Sequence, residues 1–122
     1  MARVLVVEDD PWSQTLVRDV LVLGGHDAVV AGDVAEARAA VAAGVDLVLL
    51  DIHIPGGGGE VLLRELRAAA STAVLPVLAL TASAMTGDRE RFLRAGFTGY
   101  LSKPIDVRTF CKTVEQYLRG SG

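Results

Sequence analysis

A single cysteine, Cys111, stands among 122 residues. One thiol cannot close an intramolecular disulfide, so a buried core must hold the fold, and the chain suits a reducing compartment. With only two histidines beside it, a zinc site built from cysteine and histidine ligands is excluded. No apolar run approaches the ~18–20 residues that a membrane span needs. The start, Met1-Ala2-Arg3-Val4, lacks the basic region, apolar stretch and cleavage site of a signal peptide, so the expected location is the cytoplasm. A basic excess is also missing. The net charge is −3, which argues against direct DNA binding, because phosphate contacts need clustered lysine and arginine. Lysine itself is scarce: Lys103 and Lys112 stand against ten arginines. No repeat, linker or low-complexity tract is present, and the glycine run Gly56–Gly59 is too short to join domains. One domain over residues 1–119 is expected, with a short flexible tail at 120–122.

What is present has the make-up of a globular protein, with 51% apolar and 22% charged residues. The charge is uneven. Residues 1–61 carry ten acids and three bases, residues 62–122 nine bases and five acids. Val4-Leu5-Val6-Val7 is apolar on both faces, which suits a central parallel strand covered by helices on both sides. Asp10 and Pro11 supply an N-cap and first turn. Leu16, Val17, Val20, Leu21 and Leu23 make the apolar face of that helix, and Gly24-Gly25 ends it. His26 falls in the turn before a second strand, Ala28–Ala31. Asp33-Val34-Ala35-Glu36 reads as a capping box opening an Ala-rich helix to Gly44. Asp46–Leu50 is a third strand ending at Asp51, followed by a helix from Gly58 to about Ala70. Pro76–Leu80 is a fourth strand ending at Thr81, followed by a helix over Thr86–Ala95. Gly99–Ser102 is a fifth, ending at Lys103-Pro104. Asp106 is expected to cap a last helix through Leu118, with Cys111 facing the core.

Strict alternation of five strands with five helices predicts an α/β fold with right-handed crossovers. The expected form is the flavodoxin-like doubly wound (βα)5 fold. It has a parallel five-stranded sheet in order 2-1-3-4-5 and helices on both faces. Ligands in such sheets sit beyond the carboxyl ends of the strands. Here those ends carry Glu8 and Asp9, Asp51, Thr81 and Lys103. Three close carboxylates cannot all ionise cheaply without a counter-charge. A divalent cation and Lys103 would supply it, and Mg2+ (or Mn2+) matches the hard oxygen donors. Acids, metal, lysine and threonine together suit phosphoryl transfer, with a carboxylate as nucleophile.

With these residues in view, the chain resembles a response-regulator receiver domain of two-component signalling. The resemblance runs from VLVVEDD through DLVLLDIHIPGGGGE and PVLALTAS to GYLSKPI. The LTASAMTGD stretch is most like stand-alone cell-cycle receivers and receivers attached to hybrid kinases. The resemblance implies that Asp51 is the phosphoacceptor and that Glu8, Asp9 and Asp51 bind Mg2+ with the backbone carbonyl of His53. It further implies that Lys103 contacts the phosphoryl group and that Thr81 is the switch hydroxyl. Tyr100 is then the aromatic that swings inward, and the Lys103-Pro104 peptide bond is cis. The side chains of His53 and Ser83 would set the lifetime of the aspartyl phosphate. The implied donor is a sensor histidine kinase or a histidine phosphotransfer protein. The implied output is a downstream protein met at the helix 4–strand 5–helix 5 face, and the basic helix surface of Arg89, Arg91 and Arg94 is either a solvated face or part of that partner surface. A phosphorylation-dependent dimer stays open. No output domain is read after residue 118, although Arg119-Gly120-Ser121-Gly122 also reads as a linker start.

Other readings stand beside this one. Glu8 and Asp9 as solvated strand-end acids, Lys103 as a surface lysine before a turn, and Thr81 as a β-former each explain one residue alone. Trp12 either packs near the acids or reports metal binding by fluorescence. A small Mg2+-dependent phosphatase would use similar groups, but it places a second acid where His53 stands. A flavodoxin-like flavin carrier needs Ser, Thr and Gly where Glu8-Asp9-Asp10-Pro11 would repel phosphate. A receiver-like module that binds partners without phosphorylation is the remaining alternative. It is kept open by Gly56–Gly59, which lacks the acid or serine that would cap the third helix.

Overall fold

The computed structural model describes residues 2–54, 58–82 and 88–119. Elements alternate through the chain as β1 (Arg3–Val7), α1 (Pro11–Leu23), β2 (Asp27–Ala31), α2 (Val34–Ala43) and β3 (Leu47–Asp51). They continue as α3 (Gly59–Ala68), β4 (Val77–Thr81), α4 (Asp88–Ala95), β5 (Gly99–Ser102) and α5 (Phe110–Leu118). All four strand pairings are parallel, in the order β2-β1-β3-β4-β5. The expected flavodoxin-like doubly wound sheet is therefore the fold.

Side chains alternate across each strand, and the two sets belong to different cores. Leu5, Val7, Val48, Leu50, Val77 and Ala79 pack with Val34 and Ala37 of α2, with Leu62, Leu63 and Leu66 of α3, and with Phe92 of α4. Val4, Val6, Leu47, Leu49, Leu78 and Leu80 pack with Val17 and Leu21 of α1 and with Phe110 and Val114 of α5. Each residue of β3 and β4 is buried, which explains why these strands read as unbroken apolar runs.

Capping follows the sequence in part. The Asp10 carboxylate accepts from Ser13 N at 2.9 Å, and Asp33 accepts from Glu36 N at 2.8 Å. Glu36 reaches back past the cap residue, to Gly32 N. The glycine run leaves α3 with Gly58 as N-cap, at φ 80°, and no side-chain cap bond.

Two expectations need correction. Leu23 is 88% exposed rather than part of the buried stripe of α1. Val17 and Leu21 lie one turn apart, and Leu23 is turned about 200° from Leu21. Asp106 does not start a regular helix, because α5 begins at Phe110. Instead the Asp106 carboxylate takes Arg108 N at 3.0 Å, and its carbonyl takes Phe110 N at 2.9 Å, forming a turn that leads into the helix. His26 stands in the turn before β2, as expected, and is buried there. Its Nδ1 accepts from Ala2 N at 3.2 Å, and its Nε2 lies 2.9 Å from Glu115 Oε2. It thereby ties β1 to α5. Cys111 is half-buried in the contact of α5 with α1, with Sγ 3.2 Å from the Val20 carbonyl. A Cβ on Gly24 would lie only 2.6 Å from that sulfur.

Candidate functional site

The parallel sheet brings four strand ends to one edge. Asp51 closes β3 and Thr81 closes β4. Glu8 follows β1, and its N–H extends the ladder to the Ala31 carbonyl at 2.9 Å. Lys103 follows β5, and its N–H reaches the Thr81 carbonyl at 2.8 Å. Glu8, Asp51 and Thr81 are buried, Lys103 is half-buried and Asp9 is exposed.

Lysine 103 joins two of the acids. Its Nζ donates to Glu8 Oε1 at 2.8 Å and to Asp51 Oδ2 at 3.0 Å. The other Asp51 oxygen, Oδ1, accepts from the His53 backbone N–H at 2.9 Å. Asp51 is thus held from two sides, by an ammonium and by an amide. Oxygens of Glu8, Asp9 and Asp51 all lie within 4.8 Å of one another, close enough to share one cation. Glu8 Oε2 is buried and accepts no hydrogen bond from any described group. A buried carboxylate oxygen left without a donor is costly. Either a proton or a hard cation satisfies it, so the donor set fits Mg2+ on its own terms.

The electrostatics point the same way. Burial pushes the Glu8 carboxyl up to about 7, helped by the neighbouring Asp51 and opposed by Lys103. Burial also pulls Asp51 upward, but hydrogen bonds from Glu8, the His53 amide and Lys103 outweigh it and hold Asp51 below the ordinary aspartate value. Burial alone would lower Lys103, yet its bonds to Glu8 and Asp51 raise it, so it stays charged. The two acids are thus pushed in opposite directions, Glu8 upward and Asp51 downward.

Alternation separates the remaining parts. Asp51 falls in line with Leu47 and Leu49, on the face covered by α1 and α5. Thr81 falls in line with Val77 and Ala79, on the opposite face, where Tyr100 also packs. Tyr100 lies opposite Ala79 and Ser102 opposite Thr81, so tyrosine and threonine are diagonal neighbours on one face. The His53 side chain is exposed beside the site. Ser83 lies outside the described residues, as do Gly56, Gly57, Thr86 and residues 120–122.

Two positioning residues carried no sequence signal. Gln14, on the first full turn of α1, donates its side-chain amide to the Glu8 carbonyl. Gly59 lets α3 start against β3, since a Cβ there would sit 3.0 Å from the Asp51 carbonyl and 3.2 Å from Leu50. A third residue, Arg67, binds the carbonyls of Gly96 and Leu75 at 2.8 and 2.7 Å, stitching α3 to the loops at the far end of the sheet.

Residues 4–115 match the model of the response regulator receiver domain family. The chain belongs to that family. It is 35% identical, over 94% of both chains, to the polar-differentiation response regulator DivK of Brucella ovis. Among solved structures, a putative response regulator from Chloroflexus aurantiacus superposes with a TM-score of 0.89 at 27% identity, covering 97% of this chain and 98% of that one. The receiver domain of the sensor histidine kinase PA1611 from Pseudomonas aeruginosa gives 0.85 at 33% identity, covering 96% and 97%. That receiver has a magnesium ion coordinated in its active-site cleft. Receivers are signalling switches. The family assignment makes the flavin-carrier reading untenable. Among the described residues, no helix is long and apolar enough to cross a membrane.

Proposed function

We propose that this receiver is a phosphorylation switch with Asp51 as its acceptor. The observation that carries this is the Lys103 ammonium bonded at once to Glu8 and Asp51, beside a buried Glu8 oxygen that lacks a donor. The donor is a phosphohistidine of a sensor kinase or a histidine phosphotransfer protein. An Asp51 oxygen attacks phosphorus, the P–N bond breaks with its electron pair going to nitrogen, and the imidazole leaves, taking up a proton from solvent. Glu8, Asp9, Asp51 and the His53 carbonyl hold Mg2+ or Mn2+, which when bound neutralises charge on the phosphoryl oxygens. Lys103 pairs with one of those oxygens. Thr81 donates its hydroxyl to another. Water later hydrolyses the acyl phosphate, and His53 and Ser83 set how fast. The chain turns over no external substrate beyond this transfer.

Phosphorylation shifts a two-state equilibrium in which Thr81 and Tyr100 carry the change to the α4–β5–α5 face. Output there is contact with a downstream protein, and Arg89 and Arg94 are exposed on α4 to meet it. The setting expected for the relay is the cytoplasm.

Intact mass after incubation with Mg2+ and acetyl phosphate tests the proposal. One added phosphoryl group is expected, released by hydroxylamine and absent with EDTA or in Asp51→Asn. No adduct, together with no response of Trp12 fluorescence to beryllofluoride, would favour binding without phosphorylation. Trp12 is suited to report this, being 71% exposed and lining a cavity of about 250 Å3 together with Glu8 and Lys103.

A further inference from the structure

We infer that Phe92 is a positioning residue of the switch, the ring on which Tyr100 rests and through which its state reaches α4. This deepens the proposed function and rests on it.

Phe92 is the one buried residue of α4, 5% exposed. Arg89, Glu90, Arg91, Leu93, Arg94 and Ala95 are all exposed. Among the described residues, this ring is therefore the one buried side chain that α4 contributes to the core. Within its apolar cluster that ring meets two other rings and one cation. Tyr100 lies 5.8 Å away, tilted at 45°, and Phe97 lies 5.7 Å away, edge-on at 84°. The Arg91 guanidinium sits 5.3 Å from the Phe92 ring centroid. Phe97 belongs to the connection into β5, after Gly96 at φ 113°, so the cluster spans the turn between α4 and β5.

The consequence is mechanical. Tyr100 cannot leave this position without removing a wall of the Phe92 site. Phe92 cannot follow without moving α4, because no other side chain of α4 is buried. Aromatic pairs of this geometry are directional, so an aliphatic side chain of similar bulk fills the space without fixing the tyrosine ring. Packed clusters of this kind move between discrete arrangements rather than deforming smoothly.

Phe92→Leu keeps apolar bulk and removes the ring. With Mg2+ and acetyl phosphate it should gain one phosphoryl group at a rate within about twofold of the parent, since the reacting atoms are untouched. Amide hydrogen exchange over residues 88–95 is then compared with and without beryllofluoride. In Phe92→Leu the ligand-induced change should fall below half that of the parent. Tyr100→Leu should lose as much, and the double variant no more than either alone. A parent-like exchange response in Phe92→Leu, or losses that add in the double variant, would overturn the inference. Should Phe92→Leu melt early, Phe92→Met keeps more bulk and carries the same test. A parent protein that takes no adduct would sink the proposed function and this inference together. An adduct with a normal response in Phe92→Leu would sink the inference alone.

Discussion

Where the sheet meets α1 and α5, its carboxyl edge presents Glu8, Asp51 and Lys103, joined by bonds of 2.8 and 3.0 Å. Where it meets α2, α3 and α4, the same edge presents Thr81, with Tyr100 below it on a cluster of aromatic rings. Both sets come from one alternating pattern, and successive strand positions send side chains to opposite faces. The first face holds fixed charges in a buried setting, where they are strong and cost little reorganisation. The second holds a hydroxyl and three rings, and the rings meet through directional edge-on and tilted contacts. The proposed chemistry and the proposed signalling therefore rest on different supports.

Three predictions sharpen or break this comparison. The largest concerns the cores beneath the two faces. Leu49 lies under the α1–α5 face and Leu50 under the other, and both are fully buried. Leu49→Ala and Leu50→Ala should each lose ~2–5 kcal/mol in urea unfolding. A much smaller loss for Leu50→Ala would mean that the second face is loosely packed to its base and not only at its edge.

Next come Lys103 and Thr81, one from each face. Lys103→Ala removes the cation from two buried carboxylates and should slow adduct formation on the order of 100-fold. Thr81→Ala should still take the adduct but lose most of the beryllofluoride-induced exchange change in α4. Equal effects of the two variants on both measurements would erase the division of labour.

The smallest effect is titration of the charged face. Glu8 must shed its proton to bind a cation, and its pKa stands raised to about 7. Mg2+ affinity should therefore rise with pH by up to about tenfold per unit below that value, then level off above it. The metal-free fold responds with the opposite sign. A carboxyl with a raised folded pKa adds stability that is fully present below its unfolded value of 4.5 and is lost as pH climbs through about 7. Isothermal titration and thermal melts from about pH 4.5 to about pH 8 check both signs. A flat Mg2+ affinity across that range would remove Glu8 from the metal site.

Much of this was legible in order along the chain. Apolar runs of strand length placed β1, β3 and β4, and their last residues named Glu8, Asp51 and Thr81. Cap residues such as Asp10 and Asp33 announced their helices because the capping bond is local. Asp106 misled because an Asx-type turn and a helix cap share the same residue preference. The burial of His26 was not legible, because its partners, Ala2 and Glu115, are remote in sequence and leave no local pattern.

By itself, then, the sequence determined the alternation, the sheet order and the set of groups at its carboxyl edge, because strand length, side-chain period and capping are short-range properties. Only the tertiary structure decided how those groups interact. It joined Lys103 to Glu8 across 95 positions of chain, left Glu8 Oε2 without a donor, and set Tyr100 on Phe92. Charge strength and ring contact depend on burial and distance, and both arise only when separate segments pack against one another.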